Sequence, residues 1–418
     1  MTAGANDGND PGTQLFGNGG GGSKPAVHRR LVGSALFHRG PASRVGLSRA
    51  TGLPHSRLTE ICRDLIREGI VREASREEPE GRGRPETLLR VDLAALGVAC
   101  VRYDAGRIVA AAADLAGTLR WQKAWEGPFR GGASGLLDRV ERALGAALAA
   151  ARTEGIRILA VGAADPGTVN RAAGRSVRAT HVPGWENVPV VDRLRRFAKL
   201  PVLLERGDGW QALGEVAFGA GRGARSIVFV TLLDGIGGGI VDEGRLLAGR
   251  DGSAGEIGHV RVEDGGPACG CGGRGCLEAC VAPARLAALW KPGGRASAFP
   301  ALLRAARDGD ARAREILAGA GRSLARAVGA AATLLNPERV LLGGGFVDAG
   351  DLILAPMREA LPALTLAESL RNLEVRAAEL GETSTFLGMI AAVRERVFAR
   401  PGTAGPFVET APGKESAA

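Results

Sequence analysis

The stretch "GEIGHVRVEDGGPACGCGGRGCLEAC" (255–280) brings one imidazole, His259, close in sequence to three thiols, Cys269, Cys271 and Cys276. One nitrogen and three soft sulfurs are the ligand set of a closed structural Zn2+ site. Glycines 270, 272, 273 and 275 let the backbone wrap closely around an ion. Cys280 lies one helical turn beyond Cys276 and either competes as a sulfur ligand or is buried. With all four positions filled by protein, zinc here orders a loop and does not activate water.

A second candidate sits in "LLERGDGWQALGE" (203–215), where an apolar run ends at Glu205-Arg206-Gly207-Asp208-Gly209 and a helix-like stretch follows. A carboxylate at a strand-to-helix turn can be a general base, or it can accept hydrogen bonds from the first amides of the helix. Local sequence leaves Asp208 open to both.

The third candidate is "SRVGLSRATGLPHSRLTEICRDLIREGIVR" (43–72). Ser43 can cap a short helix with Val45, Leu47 and Ala50 on its buried side. Thr51-Gly52-Leu53 makes a tight turn, and Pro54 suits the first position of a second helix. Leu58, Ile61, Cys62 and Leu65 form the inner face of that helix. His55, Ser56, Arg57, Thr59, Glu60 and Arg63 are left outward, with His55 and Arg57 the leading candidates for base-edge contacts. This is a helix-turn-helix followed by a wing, "EGRGRPE" (80–86), whose Arg82 and Arg84 can lie along phosphates or in a narrow minor groove.

These groups need scaffolds. At 418 residues the chain suggests two or three domains. It has no apolar run long enough to span a bilayer and no secretory signal pattern, so the expected location is cytoplasmic, with no membrane partner. Clustered cysteines suit metal in a reducing compartment. Net charge is +9, carried mostly by Arg, and the basic residues are dense between Arg29 and Arg90. Residues 1–25 are Gly, Asn and Asp rich and read as a disordered arm, as does the tail 400–418. Between them lie a compact basic unit, 26–90, and an α/β region, 91–399. Candidate strands are Ile108–Ala113, Ile158–Ala163, Val202–Leu204, Ile227–Leu232, Gly239–Val241 and Val340–Leu342. Leu137, Val140 and Leu144 mark one face of a helix over Leu136–Arg152. The alternation predicts an α/β fold, and its two lobes could be distant duplicates.

"GSAGEIGH", "CGCGGRGCLE" and the late "NPERVLLGGG" (336–345) together resemble the ROK family of repressors, open reading frames and sugar kinases, over roughly residues 30–398. The resemblance implies a two-lobed actin/hexokinase-like domain with sugar between the lobes, preceded in the transcription-factor branch by a winged helix. It implies a first lobe of about 91–205 plus the C-terminal helix, and a second of about 206–380. Carried over by position, Glu256 and His259 hold sugar hydroxyls, with His259 also on zinc, and Glu278 is a second sugar-contacting glutamate. Pro166-Gly167-Thr168-Val169 and "HVPGWENV" (181–188) match loops framing the sugar, with Trp185 either a packing residue or a stacking platform.

Two kinase elements are altered. The family's Glu-Asn-Asp places Arg206 at the Asn position and Gly207 at that of the proton-accepting Asp, with Asp208 one residue late. In the first phosphate loop, "VRYDAGR" (101–107), Arg102 replaces the Asp and Asp104 stands where Gly is needed. A second loop, "DGIGGGI" (234–240), is intact. Arg206 could draw an anionic sugar derivative, or pair with Glu205 or Asp208 and face solvent. The expectation is therefore a non-enzymatic, zinc-stabilised, sugar-responsive regulator, a homodimer or homotetramer. Its partners would be operator DNA and a sugar or sugar-phosphate effector. The alternative is an active ATP-dependent sugar kinase that retains a DNA-binding domain.

Overall fold

The computed structural model describes residues 11–16, 24–77, 86–179 and 182–399. The chain divides into two compact units, Met1–Glu205 with Met389–Ala418, and Arg206–Gly388.

The first unit opens with α1 (Pro11–Phe16), α2 (Lys24–Arg39), α3 (Arg44–Thr51) and α4 (His55–Arg67). Within the expected disordered arm, Pro11–Phe16 is helical, which corrects that part of the expectation. Composition hid two apolar residues: Leu15 and Phe16 are buried, and the Phe16 ring lies against Gly33, where a Cβ would meet it at 2.5 Å. The Ser43 Oγ accepts from the Gly46 amide as an N-cap, and Gly52 ends α3 at φ 71°, in the left-handed region that glycine adopts freely. Pro54 is the N-cap of α4 and not its first helical residue. Leu58, Ile61, Cys62 and Leu65 are buried as the helical spacing predicts. Val45 is not: it is 37% exposed. Two residues from Leu47 is about 200° around a helix, so both cannot face one core.

β1 (Val71–Glu77) and β2 (Glu86–Val91) pair antiparallel, and Leu89 exchanges backbone bonds with Ala42 ahead of α3. Of the expected wing, residues 80–85, including Arg82 and Arg84, lie outside the described residues.

The rest of this unit is β3 (Leu96–Tyr103), β4 (Arg107–Asp114), β5 (Leu119–Glu126), α5 (Gly132–Thr153), β6 (Arg157–Asp165), β7 (Thr168–Asn170), β8 (Arg175–Arg178), β9 (Glu186–Val188), α6 (Val190–Ala198) and β10 (Val202–Arg206). Its main sheet runs β10-β6-β3-β4-β5, with β7, β8 and β9 as a separate ribbon. α5 lays Leu137, Val140, Leu144 and Ala147 on the sheet.

The second unit holds α7 (Gly207–Phe218), β11 (Ser226–Leu232), β12 (Ile236–Asp242), β13 (Arg245–Leu246), α8 (Leu277–Val281), α9 (Pro283–Trp290), α10 (Phe299–Arg307), α11 (Ala311–Leu335), β14 (Arg339–Gly344), α12 (Gly345–Ala349), α13 (Asp351–Ala360), α14 (Ala367–Leu370) and β15 (Glu374–Ala377). Its sheet runs β13-β12-β11-β14-β15. In both sheets a three-stranded antiparallel meander adds its fourth strand parallel to the first. This shared topology supports reading the two lobes as duplicates.

α15 (Ser384–Phe398) is the last of the described helices. Its first turn crosses α7 closely enough that a Cβ on Gly388 would stand 1.9 Å from the Trp210 carbonyl, and one on Gly214 2.2 Å from that of Ser384. Its last residues meet the N-terminal helices: Phe398 stacks on Phe37 at 4.7 Å, and the Arg30 guanidinium donates to the Arg396 carbonyl. We expect Gly388→Ala to cost about 1–3 kcal/mol through overpacking against backbone. Calorimetry would read this as a lowered melting transition, and an unchanged transition would contradict the close crossing.

Candidate functional site

His259 ends a 3-10 turn, Ile257–His259, directly after Glu256. Its Nδ1 lies 3.6 Å from the Cys269 Sγ, and the Cys271 and Cys276 sulfurs are 3.7 Å apart. The four ligand atoms all lie within 4.8 Å of one another. Metal–ligand bonds of ~2.0–2.3 Å in a tetrahedron imply ligand–ligand edges of roughly 3.4–3.8 Å, so the spacing fits one ion. The loop is built for this closeness. Gly275 sits at φ 69°, and a Cβ there would fall 1.8 Å from the Glu263 carbonyl. Cys280 stands outside the set, with its thiol donating to the Glu263 carboxylate at 3.4 Å.

On its other edge His259 faces Glu256, Nε2 to Oε2 at 4.0 Å. The second Glu256 oxygen accepts from the Arg206 guanidinium at 2.5 Å. Arg206 is 7% exposed and also donates to the Gly238 and Ala254 carbonyls, both at 3.0 Å. The solvent-facing alternative for Arg206 is thus corrected. Burial leaves a guanidinium no water, so it takes the nearest carboxylate and carbonyls. The pairing with Asp208 is present but longer, 3.5 Å from Arg206 Nε.

Asp208 occupies the first turn of α7, whose N-cap is Arg206. Its Oδ1 accepts from the Gly209 amide at 2.7 Å, and its Oδ2 from the Gly238 amide at 2.9 Å. Both oxygens therefore serve the helix start and the glycine-rich strand β12. Glu278, at the start of α8, likewise accepts from the Ile236 amide at 3.0 Å. The glycines of "DGIGGGI" make room for these carboxylates: a Cβ on Gly237 would meet Asp208 at 2.6 Å, and one on Gly235 would meet Glu278 at 2.3 Å. Gly207, in contrast, has nothing within 4 Å of an added Cβ. The second unit thus brings together Arg206, Asp208, Glu256, His259 and Glu278.

Gly167 belongs to the first unit, where its amide donates to Asp165 at 2.8 Å. Asp165 is 3% exposed and also accepts from the Tyr103 hydroxyl at 2.7 Å and the Ser176 hydroxyl at 2.6 Å. Burial pushes its carboxyl up from the usual range, against the hydrogen bonds that pull it down. Trp185 packs on Tyr103 and donates to the Ser176 Oγ at 2.8 Å while only 1% exposed, so it is a packing residue. In "VRYDAGR" the Asp104 Oδ1 accepts from the Gly106 and Arg107 amides, at 2.6 and 2.7 Å. A carboxylate of the chain itself occupies the turn amides of this loop. Arg102 precedes it on β3, half-buried.

Sequence reasoning passed over Asp165, Arg171 and Glu215. The Arg171 guanidinium pairs with buried Glu205. Glu215, fully buried, accepts from the Ala220, Glu379 and Leu380 amides. An acid closing the apolar strand "RILAVGAAD" was the available signal for Asp165. Its partners are long-range and leave no local pattern.

Residues 98–396 match the ROK family. Glucokinase from Thermotoga maritima is 38% identical over 252 residues, covering 57% of this chain and 80% of its own. The DNA-binding transcriptional dual regulator NagC of Escherichia coli is 28% identical over 390 residues, covering 87% of this chain and 93% of its own. The DNA-binding transcriptional repressor Mlc of Escherichia coli is 26% identical, covering 84% and 88%. Among solved structures, a ROK hexokinase from Thermus thermophilus gives a TM-score of 0.61 at 30% identity, over 71% of this chain and 97% of that one. A ROK family transcriptional regulator, described as a homolog of Escherichia coli Mlc, gives 0.75 over 89% and 98%, at 23% identity, a likeness of fold.

We expect one tightly held metal ion per chain by elemental analysis. Cys276→Ser should lose it and lower the melting temperature, whereas Cys280→Ser should retain it. Loss of metal in the Cys280 variant would place the fourth ligand wrongly.

Proposed function

The chain belongs to the ROK family, and on that premise we propose that it is a sugar-responsive DNA-binding transcriptional regulator, acting as a repressor. Its ROK domain holds a sugar through Glu256, His259 and Glu278, with Gly167 in a framing loop, and does not phosphorylate it. The observation that carries this reading is α4: a helix with its apolar face buried, following a capped α3 and a tight left-handed turn and leading into a hairpin. Such a helix presents its first residues to base edges in a major groove. His55 and Ser56 are exposed at its start, Arg57 and Thr59 are half-buried beside them, and Arg63 is exposed further along. Arg82 and Arg84 would add phosphate contacts.

Extent of similarity supports the regulator. NagC and Mlc match 87% and 84% of the chain, more than residues 98–396 alone, whereas the Thermotoga glucokinase matches 57%. The altered loops support the absence of catalysis. A general base must lie within about 2.6–3.2 Å of the proton it takes, and its loss costs about 10²–10⁴ in rate. Gly207 has no side chain to offer, and Asp208 is engaged by two backbone amides. At the first phosphate loop, Asp104 already accepts from the amides that would cradle an anion.

The ion at His259, Cys269, Cys271 and Cys276 is taken as Zn2+, because three thiolates and one imidazole suit a closed structural zinc site. It would hold the Cys269–Cys276 loop against the turn carrying His259 and so fix the imidazole beside Glu256. A homodimer or homotetramer would place two copies of α4 on a pseudo-palindromic operator. Among the described residues no helix is long and apolar enough to cross a membrane.

Glucokinase identity of 38% favours a second reading, an active sugar kinase retaining a DNA-binding segment. One set of experiments separates the two. The chain should bind DNA from upstream of its own gene, with affinity falling steeply as salt rises. Arg63→Ala should weaken that binding by about 1–3 kcal/mol if it reads a base edge. Turnover of ATP with a sugar panel should be absent. Substantial phosphotransfer would establish the kinase, whether or not the chain binds DNA.

A further inference from the structure

We propose that Arg206 is a positioning residue for Glu256, whose carboxylate cancels the buried cation and sets the site for uncharged sugars and against sugar phosphates. The inference rests on the sugar-binding reading above and names the ligand class within it.

Three observations carry it. First, the positive charge of Arg206 is already matched: Nη1 donates to Glu256, Nη2 donates to two carbonyls, and Asp208 lies 3.5 Å from Nε. Arg206 is the single cation among these side chains, against Asp208, Glu256 and Glu278. Excess negative charge in a partly desolvated site opposes a phosphate and leaves a neutral polyol unaffected. Second, the pairing uses one Glu256 oxygen and turns the other toward His259 Nε2, 4.0 Å away. One acceptor and one imidazole nitrogen side by side suit a sugar hydroxyl, which both donates and accepts. Third, Arg206 joins the start of α7 to β12 and to the loop carrying Ala254, so the guanidinium that holds the Glu256 carboxylate is itself fixed by the backbone.

Substituting either partner should move selectivity in opposite directions. Glu256→Gln leaves the carbonyl bonds of Arg206 in place but unmatches its charge. Arg206→Gln removes the cation and leaves the carboxylates.

The test is calorimetric titration of the full chain, loaded with its metal, against hexoses, N-acetylhexosamines and the 6-phosphate of each. The readout is the affinity ratio of neutral sugar to its phosphate. Wild type should favour the neutral form by tenfold or more. Glu256→Gln should shift the ratio toward the phosphate by about tenfold, and Arg206→Gln should shift it further toward the neutral form. Metal content and melting temperature establish that each variant is folded. Preference of the wild type for a sugar phosphate, or a ratio unmoved in folded Glu256→Gln, overturns the proposal while leaving a sugar-binding regulator standing. Binding of no sugar of either kind, with DNA binding intact, instead defeats the sugar-responsive reading and this inference with it.

Discussion

A guanidinium taken out of water must be neutralised and hydrogen-bonded, or its burial destabilises the fold by several kcal/mol. Arg206 meets that constraint with Glu256, Gly238 and Ala254, and the arrangement of the second unit's polar groups follows from it. Glu256 is turned so that one oxygen remains toward His259. Asp208, one residue inside α7, is left to bind the Gly209 and Gly238 amides. Each Asp208 oxygen thus receives one backbone donor, one at the start of α7 and one on β12.

The glycines of this region are explained by the same crowding. Gly235 and Gly237 are small because Glu278 and Asp208 occupy the space where side chains would stand. A glycine-rich loop read from sequence suggests phosphate, yet here its visible use is close approach of carboxylates to backbone amides. The metal loop shows a related economy. Gly275 permits the turn that brings Cys276 toward Cys271, and His259 belongs at once to the sulfur cluster and to the edge of the Glu256 site.

Between its ends, α15 takes part in both units. Ser384 and Gly388 lie against α7 within the second unit, and the helix ends within the first, where Phe398 meets Phe37 and Phe16. His38 contacts the Phe398 carbonyl at 2.9 Å, and Arg394 lies over the Phe37 ring at 5.2 Å. The N-terminal helices are thereby anchored to the end of the ROK domain by stacked rings and by groups bonding the last carbonyls of a helix.

Some of this was legible in the amino-acid order alone, because it depends on neighbours. Ser43, Gly52 and the apolar spacing of Leu58, Ile61 and Leu65 set the α3–α4 turn through capping and periodicity, which act within a few residues. β4, β6, β10, β11, β12 and β14 were visible as short apolar runs, and His259 with three nearby cysteines specified a metal-ligand set by type and spacing. Tertiary structure decided the rest. Whether Trp185 stacks on a ligand or packs in the core depended on Tyr103 and Ser176. The burial of Phe16 depended on Gly33 and Phe398. The charge available at the candidate site depended on Arg206 reaching Glu256, fifty positions away. No local pattern encodes such a pairing, because the partner of a buried charge is chosen by where folding places the nearest opposite charge.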